Sequence, residues 1–409
     1  MTTATAPAER TRYRDALAVG EFRTLYAAFV ISVIGSVVAA VALTVLVYQR
    51  TASPFLSSLT FALGFVPFLV SGTLLSALVD RLPLRRLMVG CDLLAAVLAG
   101  AMAIPSMPVA ALLVLLLLLG TVSGVSGGAR SALLPTLLPP AAYVAGTSLF
   151  RVSAQLAQIV GNGVGGVLLV VLSPRGAIVV DAISFAASAA LIRAGVRARE
   201  ARTELPDRPS LLRDSLAGVG AVLAHKQIRR LLLFGWLVPT CAVAPEALAA
   251  PYVTGLGGSS AMIGWWLVAL PVGMALGDAL GIWLLSTRAQ RRFTDAFAAW
   301  GFVPYLAFVA HPGFGPGIAL LGTAGLGAAY TLGYSALLLE ATEGALRSRA
   351  LAIASAGLMF LQGLGFATAG AAAEIVDPHL VIAVAGGLGL AVVGLLRPRV
   401  AGEARLPSY

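Results

Sequence analysis

Long apolar runs alternate with short polar turns along almost the whole chain. Runs of about 17–25 mostly apolar residues are the length a helix needs to cross a bilayer core. Spans 1 to 6 are predicted at Leu25–Tyr48, Ser57–Val79, Leu87–Ile104, Val109–Gly128, Gly146–Leu172 and Gly176–Leu191. Spans 7 to 12 follow at Leu231–Tyr252, Ala261–Leu285, Phe293–Ala310, Gly317–Leu339, Ala350–Ile375 and Leu380–Leu396. One long polar connection, 193–230, divides them six and six. The predicted fold is therefore an all-α integral membrane protein. Its two six-helix pseudo-symmetric halves are 1–192 and 231–409, with a cytoplasmic linker at 193–230. Within the linker, Ser210–Leu216 mixes apolar and charged residues, which fits either a surface-lying amphipathic helix or a plain tether.

Composition agrees with that pattern. Of 409 residues, 59% are hydrophobic and 11% charged, so lipid must be the solvent for most of the chain. The net charge of +10 raises the question of nucleic acid, and the placement of the charge answers it. With a cytoplasmic N-terminus, 25 of the 28 basic residues fall on the cytoplasmic side, spread through short loops rather than one basic face. Only Arg50 and Arg175 fall on the other side, and Arg151 lies within span 5. Such asymmetry puts both termini in the cytoplasm and the protein in the cytoplasmic membrane. The two cysteines, Cys91 and Cys241, sit in apolar helices and make no disulfide scaffold. Residues 1–23 lack a cleavable signal pattern.

Related loops recur in the two halves. Asp80-x4-Arg85-Arg86 after span 2 is echoed by Ser286-x4-Arg291-Arg292 after span 8, and Arg130-Ser131 by Arg347-Ser348. Parallel repeats of this kind occur in transporters. The first loop, with Asp80, Arg81 and Arg85, resembles the G-x-x-x-D-R-x-G-R-[RK] pattern of the major facilitator superfamily. Ser76, Pro83 and Leu84 depart from it. The resemblance implies alternating access between two halves, with Asp80 locking helix ends together in one transport state. Asp181-Ala182-Ile183-Ser184-Phe185 in span 6 resembles siderophore and macrolide exporters of that superfamily. Gly161-Asn162-Gly163-Val164-Gly165-Gly166 resembles the antiport-associated G-P-x-x-G-G stretch, with Asn162 in the Pro slot. A basic residue inside span 4, frequent in proton-coupled drug antiporters, is absent from the predicted Val109–Gly128.

Ionisable and polar groups inside spans are costly, so each is a candidate functional group. Arg151, Gln155, Gln158 and Asn162 form one face of span 5, lining either a substrate path or a helix contact. Asp278 in span 8 lies at a depth similar to Arg151. In the major facilitator fold these spans meet, so the two side chains are expected to pair and to part when Asp278 is protonated. Glu246, beside Pro239 and Pro245 in span 7, is a second candidate coupling carboxylate, with a solvated acid near the outer mouth as the alternative, and Asp181 is a third. Phe29, Tyr330, Tyr334, Met359 and Phe360 are candidates for an apolar substrate wall, with core packing as the alternative for each. Asp92, Glu340 and Glu374 are expected to reach water or headgroups, and Trp265 and Trp266 to anchor at an interface.

These readings point to a secondary transporter that exports a small amphipathic drug or natural product by proton antiport. It is expected to work as a monomer in the bilayer, with a proton gradient in place of any cofactor and with no metal. A metabolite or ion importer of the same fold is the alternative, and a non-transporting sensor or membrane-embedded enzyme a more distant one. No Walker-type phosphate loop occurs, and the three histidines, His225, His311 and His379, lie in loops or at helix ends.

Overall fold

The computed structural model describes residues 13–73, 82–199, 222, 224–342 and 345–397. Among these residues all regular structure is helical. Eight helices are long and apolar enough to cross a membrane. They are Gly20–Thr51, Val109–Leu137, Ala142–Leu169, Pro174–Gly195, Lys226–Gly255, Ser260–Leu284, Ala350–Ala372 and Pro378–Leu396, matching spans 1, 4 to 8, 11 and 12. Spans 2 and 3 correspond to Pro54–Thr73 and Leu84–Met102. Asp80, Arg81 and the 210–216 segment lie outside the described residues.

Three spans are built in pieces, where the sequence removes backbone donors or side-chain bulk. Span 7 is a helix Lys226–Ala242, a single turn Ala244–Ala247 opened by Pro245, and a helix Ala249–Gly255. Proline lacks the N–H that the ladder needs, so Pro239, Pro245 and Pro251 make an unbroken helix costly. Span 9 is divided into Thr294–Trp300, Val303–Leu306 with Pro304 in its first turn, and a 3₁₀ turn Ala307–Ala310. Span 10 passes through a 3₁₀ turn, Leu326–Ala329, between Phe314–Gly325 and Tyr330–Ala341.

The described residues fall into two compact units. The first lies within Met1–Ala39, Val70–Gly161 and Arg175–Pro206, the second within Ala40–Leu69, Asn162–Pro174 and Asp207–Tyr409. These bounds cut through spans 1, 2 and 5. The core of the first unit gathers Phe22, Leu25, Met88, Leu133, Leu134 and Ile192 from spans 1, 3, 4 and 6. In the second, Leu231 and Leu232 of span 7 pack on Leu337, Leu338 and Ala350 of spans 10 and 11.

Two contacts within the second unit show how its helices approach. Span 5 runs unbroken from Pro140 to Val171, and its Gly166 meets Gly264 of span 8 backbone to backbone. A Cβ built on Gly166 would lie 2.6 Å from the Gly264 Cα. Small residues permit this approach where lipid offers no hydrophobic drive. Nearby, the Asn162 side-chain amide donates to the Leu267 carbonyl at 3.2 Å.

Candidate functional site

A polar cluster inside the first unit is built by spans 1, 3, 4, 5 and 6. The helix carrying span 4 does not stop at Gly128 but continues to Leu137, so Arg130 lies inside it. The missing intrahelical basic residue is therefore present, a correction to the sequence reading. Gly128 ends the apolar run but not the helix, because Ala129–Leu134 that follows is a good helix-forming run. The Arg130 guanidinium sits over the Phe29 ring at 4.4 Å and the Phe150 ring at 5.4 Å. Phe29 itself packs edge-on against Phe150 at 4.9 Å, so cation–π contact occupies a face assigned to substrate.

Asp92 of span 3 completes the cluster. It is 7% exposed and does not reach headgroups, contrary to expectation. Ser126 donates to its Oδ1 at 3.1 Å and Ser188 to its Oδ2 at 2.6 Å, and it interacts electrostatically with Arg130. A buried acid beside a half-buried base on a neighbouring helix, each partly satisfied by other groups, can exchange partners when one proton moves. The sequence signal was present in Ser126 and Ser188, small hydroxyls facing Asp92 from two other spans.

Asp181 is 1% exposed and accepts from Ser36 at 3.2 Å and from Ser184 at 3.3 Å, tying span 6 to span 1. Of the polar face on span 5, Arg151 and Gln155 are exposed, Gln158 is half-buried and Asn162 is buried. Asn162 ties span 5 to span 8 through its bond to the Leu267 carbonyl, a helix contact of the kind weighed for this face. Arg85 donates to the Arg193 carbonyl at the end of span 6, a cation at a helix C-terminus.

The remaining candidates lie in the second unit. Thr331 donates to Asp278 Oδ1 at 3.4 Å. Glu246 occupies the isolated turn Ala244–Ala247, close enough to Tyr305 to act on it electrostatically. Tyr330 and Tyr334 both contact Phe234, with centroids at 5.9 Å and 6.2 Å. Met359 is half-buried and Phe360 exposed. Trp265 is 52% exposed, as an anchor would be. Trp266 is only 1% exposed, stacks on Tyr252 at 4.7 Å and donates to the Pro245 carbonyl at 2.8 Å. It is a core residue and not an anchor, because its side of span 8 faces span 7. Glu340 pairs with Arg291 rather than facing only water.

Glu374 has a role that the sequence did not reveal. The helix of span 11 ends at Ala372, placing Glu374 beyond the membrane-spanning part. Its Oε1 accepts from the Ser53 hydroxyl and from the Phe55 N–H, the latter at 2.9 Å. Ser53 also accepts from Leu56 N at 3.1 Å, with Pro54 as the first helical residue, so two side chains cap span 2. The Ser53 and Phe55 bonds hold the Glu374 carboxyl below its ordinary value of 4.5 against a smaller opposing effect of burial. A depressed carboxylate adds stability above its unfolded pKa and loses it as pH falls through the folded one. The melting temperature of wild type should therefore exceed that of Glu374→Gln at pH 7, with the gap closing below about pH 4. A gap that stays constant to pH 3 would mean that the charge plays no part.

The fold is that of a polytopic helical membrane transporter. The family model for the Major Facilitator Superfamily matches residues 25–244, and the chain belongs to that family. It is 26% identical over 226 residues to macrolide efflux protein A of Streptococcus pyogenes, covering 53% of this chain and 55% of that protein. It is 30% identical over 278 residues to the multidrug efflux pump Tap of Mycolicibacterium fortuitum, covering 64% and 66%. The chain thus spans between about half and two thirds of the length of these curated relatives. Among solved structures, a peptide transporter POT in complex with sulfate aligns with a TM-score of 0.69 at 14% identity, over 94% of this chain and 97% of that one. The nucleoside transporter NupG aligns at 0.70 and 14%, over 92% and 98%. At such identity these two alignments concern the fold alone.

Proposed function

We propose that this protein is a secondary active exporter that moves a small amphipathic drug or natural product across the cytoplasmic membrane by alternating access and proton antiport. The observation that carries the reading is the buried Asp92, held by Ser126 and Ser188 beside the half-buried Arg130, in a chain whose curated relatives are efflux proteins. A carboxylate caged by two serines beside an arginine can take up a proton at a modest cost in rearrangement, because its hydrogen-bond donors remain. Asp278, Glu246 and Asp181 are further proton-accepting candidates. Arg151 is a further proposed gating residue. Asp80, Arg81 and Arg85 would hold helix ends together by the family pattern. Both termini are placed in the cytoplasm on the arginine distribution, and the protein works as a monomer on a proton gradient without a cofactor.

The test uses purified protein in liposomes loaded with a pH-sensitive dye and offered macrolides and lipophilic cations. Wild type is expected to show substrate-dependent proton movement, and Asp92→Asn to lose it by at least about tenfold, as expected of a proton-transfer group. Asp278→Asn and Glu246→Gln are run alongside. Substrate movement with no proton signal in wild type would refute the antiport.

A further inference from the structure

The second unit carries a groove of about 500 Å³ on spans 8, 9 and 10 that the transport reading does not use. Its walls are apolar, with Gly277, Leu280, Leu284, Phe293, Phe297 and Trp300 among them. Leu280, Leu284, Phe293 and Trp300 are all more than 40% exposed, which in a membrane-spanning chain means exposed to lipid. One end of the groove, at Leu284, Leu285 and Phe293, adjoins the short helix Thr287–Arg292. Arg288 and Arg292 on that helix are exposed, whereas Arg291 is engaged by Glu340. The Arg292 guanidinium lies 5.8 Å from the centroid of the Phe293 ring, which itself lines the groove.

We propose that this groove holds an anionic phospholipid, with one acyl chain along span 8 and the phosphate against Arg288 and Arg292. Charge complementarity selects the occupant. An apolar slot alone would take any acyl chain, but a slot with two exposed arginines at its surface end favours a lipid with net negative charge. From Gly277 to Leu285 the slot follows about 12 Å of helix at 1.5 Å per residue. That places its far end within the hydrocarbon layer while the arginines stay at the headgroups. Arginine offers the phosphate a planar pair of donors, and its stem can lie along the apolar wall.

The experiment is native mass spectrometry of the full chain in detergent. Phosphatidylglycerol and phosphatidylcholine of identical acyl chains are titrated in separately, with inorganic phosphate as competitor. Wild type is expected to retain one phosphatidylglycerol in preference to phosphatidylcholine, unaffected by inorganic phosphate. R288A/R292A is expected to weaken phosphatidylglycerol binding about 30-fold, about fivefold per charge, and to leave phosphatidylcholine unchanged. That unchanged phosphatidylcholine binding also reports that the variant is folded. A296W, which fills the slot, should weaken both lipids. Equal retention of the two lipids by wild type, or a phosphatidylglycerol preference that survives R288A/R292A, would overturn the proposal. So would displacement by inorganic phosphate, which would mark a free-anion site, or by a lipophilic cation, which would mark a lateral entry for substrate.

Discussion

Replacing Asp92 by alanine is expected to lower the stability of the first unit by about 3 kcal/mol, roughly 1 kcal/mol for each of two lost serine hydrogen bonds and for the charge facing Arg130. The substitution removes the acceptors of Ser126 and Ser188 together. It also leaves the half-buried Arg130 without the negative charge it interacts with. Asp92→Asn separates shape from charge. The amide keeps one acceptor oxygen, and the serine hydroxyls can turn to accept from its nitrogen, so a loss of about 1 kcal/mol is expected. Thermal melting in detergent therefore ranks wild type, Asp92→Asn and Asp92→Ala in that order. Identical melting of the two variants would show that the charge, and not the hydrogen-bonded cage, holds spans 3, 4 and 6 together. Because Asp92→Asn stays folded, its transport phenotype can then be read as chemistry.

Gly166→Ala is expected to destabilise by about 3 kcal/mol, at the upper end for overpacking. The added carbon meets only backbone: the Gly264 Cα at 2.6 Å and the Ala261 carbonyl at 2.9 Å. No side chain can turn away, so spans 5 and 8 must separate, straining the Asn162–Leu267 bond as they do. Gly264→Ala should do the same from the other side, at 2.5 Å from the Gly166 Cα. Gly90→Ala is the control. It sits within the helix Leu84–Met102 with nothing inside 4 Å of its Cβ position, and it should stabilise by about 0.5–1 kcal/mol. Melting curves and the yield of monodisperse protein measure all three.

The hydropathy pattern contained most of the fold, because a bilayer punishes any apolar run that is not a helix. Spans 1, 6, 8 and 12 could be placed within a turn or so at most ends. Its failures have a common cause. Hydropathy marks a span end at a glycine or a charge, yet a helix leaving the membrane has no reason to stop there. Arg130 was missed for that reason, since the helix runs nine residues beyond Gly128 to Leu137. Side-chain partners were less legible. Ser53 and Glu374 are 321 residues apart, and no local pattern connects a serine–proline turn to an acid after span 11. Trp265 and Trp266 are adjacent and chemically alike, so only the facing of span 8 separates the lipid-exposed one from the buried one. The glycines of 161–166 were legible as small, and the structure accounts for Gly166 by packing. Their link to antiport rests on the family resemblance.

The burial of Trp266 makes the protein its own optical probe. Its indole N–H is held by the carbonyl of Pro245, the residue before Glu246, so an intrinsic fluorophore reports on the short turn that carries this carboxylate. Its emission should lie to the blue and resist quenching by lipids brominated on their acyl chains. Trp283, at 89% exposure, Trp265 and Trp300 face the quencher directly, leaving Trp266 with the half-buried Trp236 as the protected fluorophores. Light recovered after such quenching would come largely from the interior, so a spectral shift on adding a macrolide or lowering the pH could be followed in real time without attaching a dye.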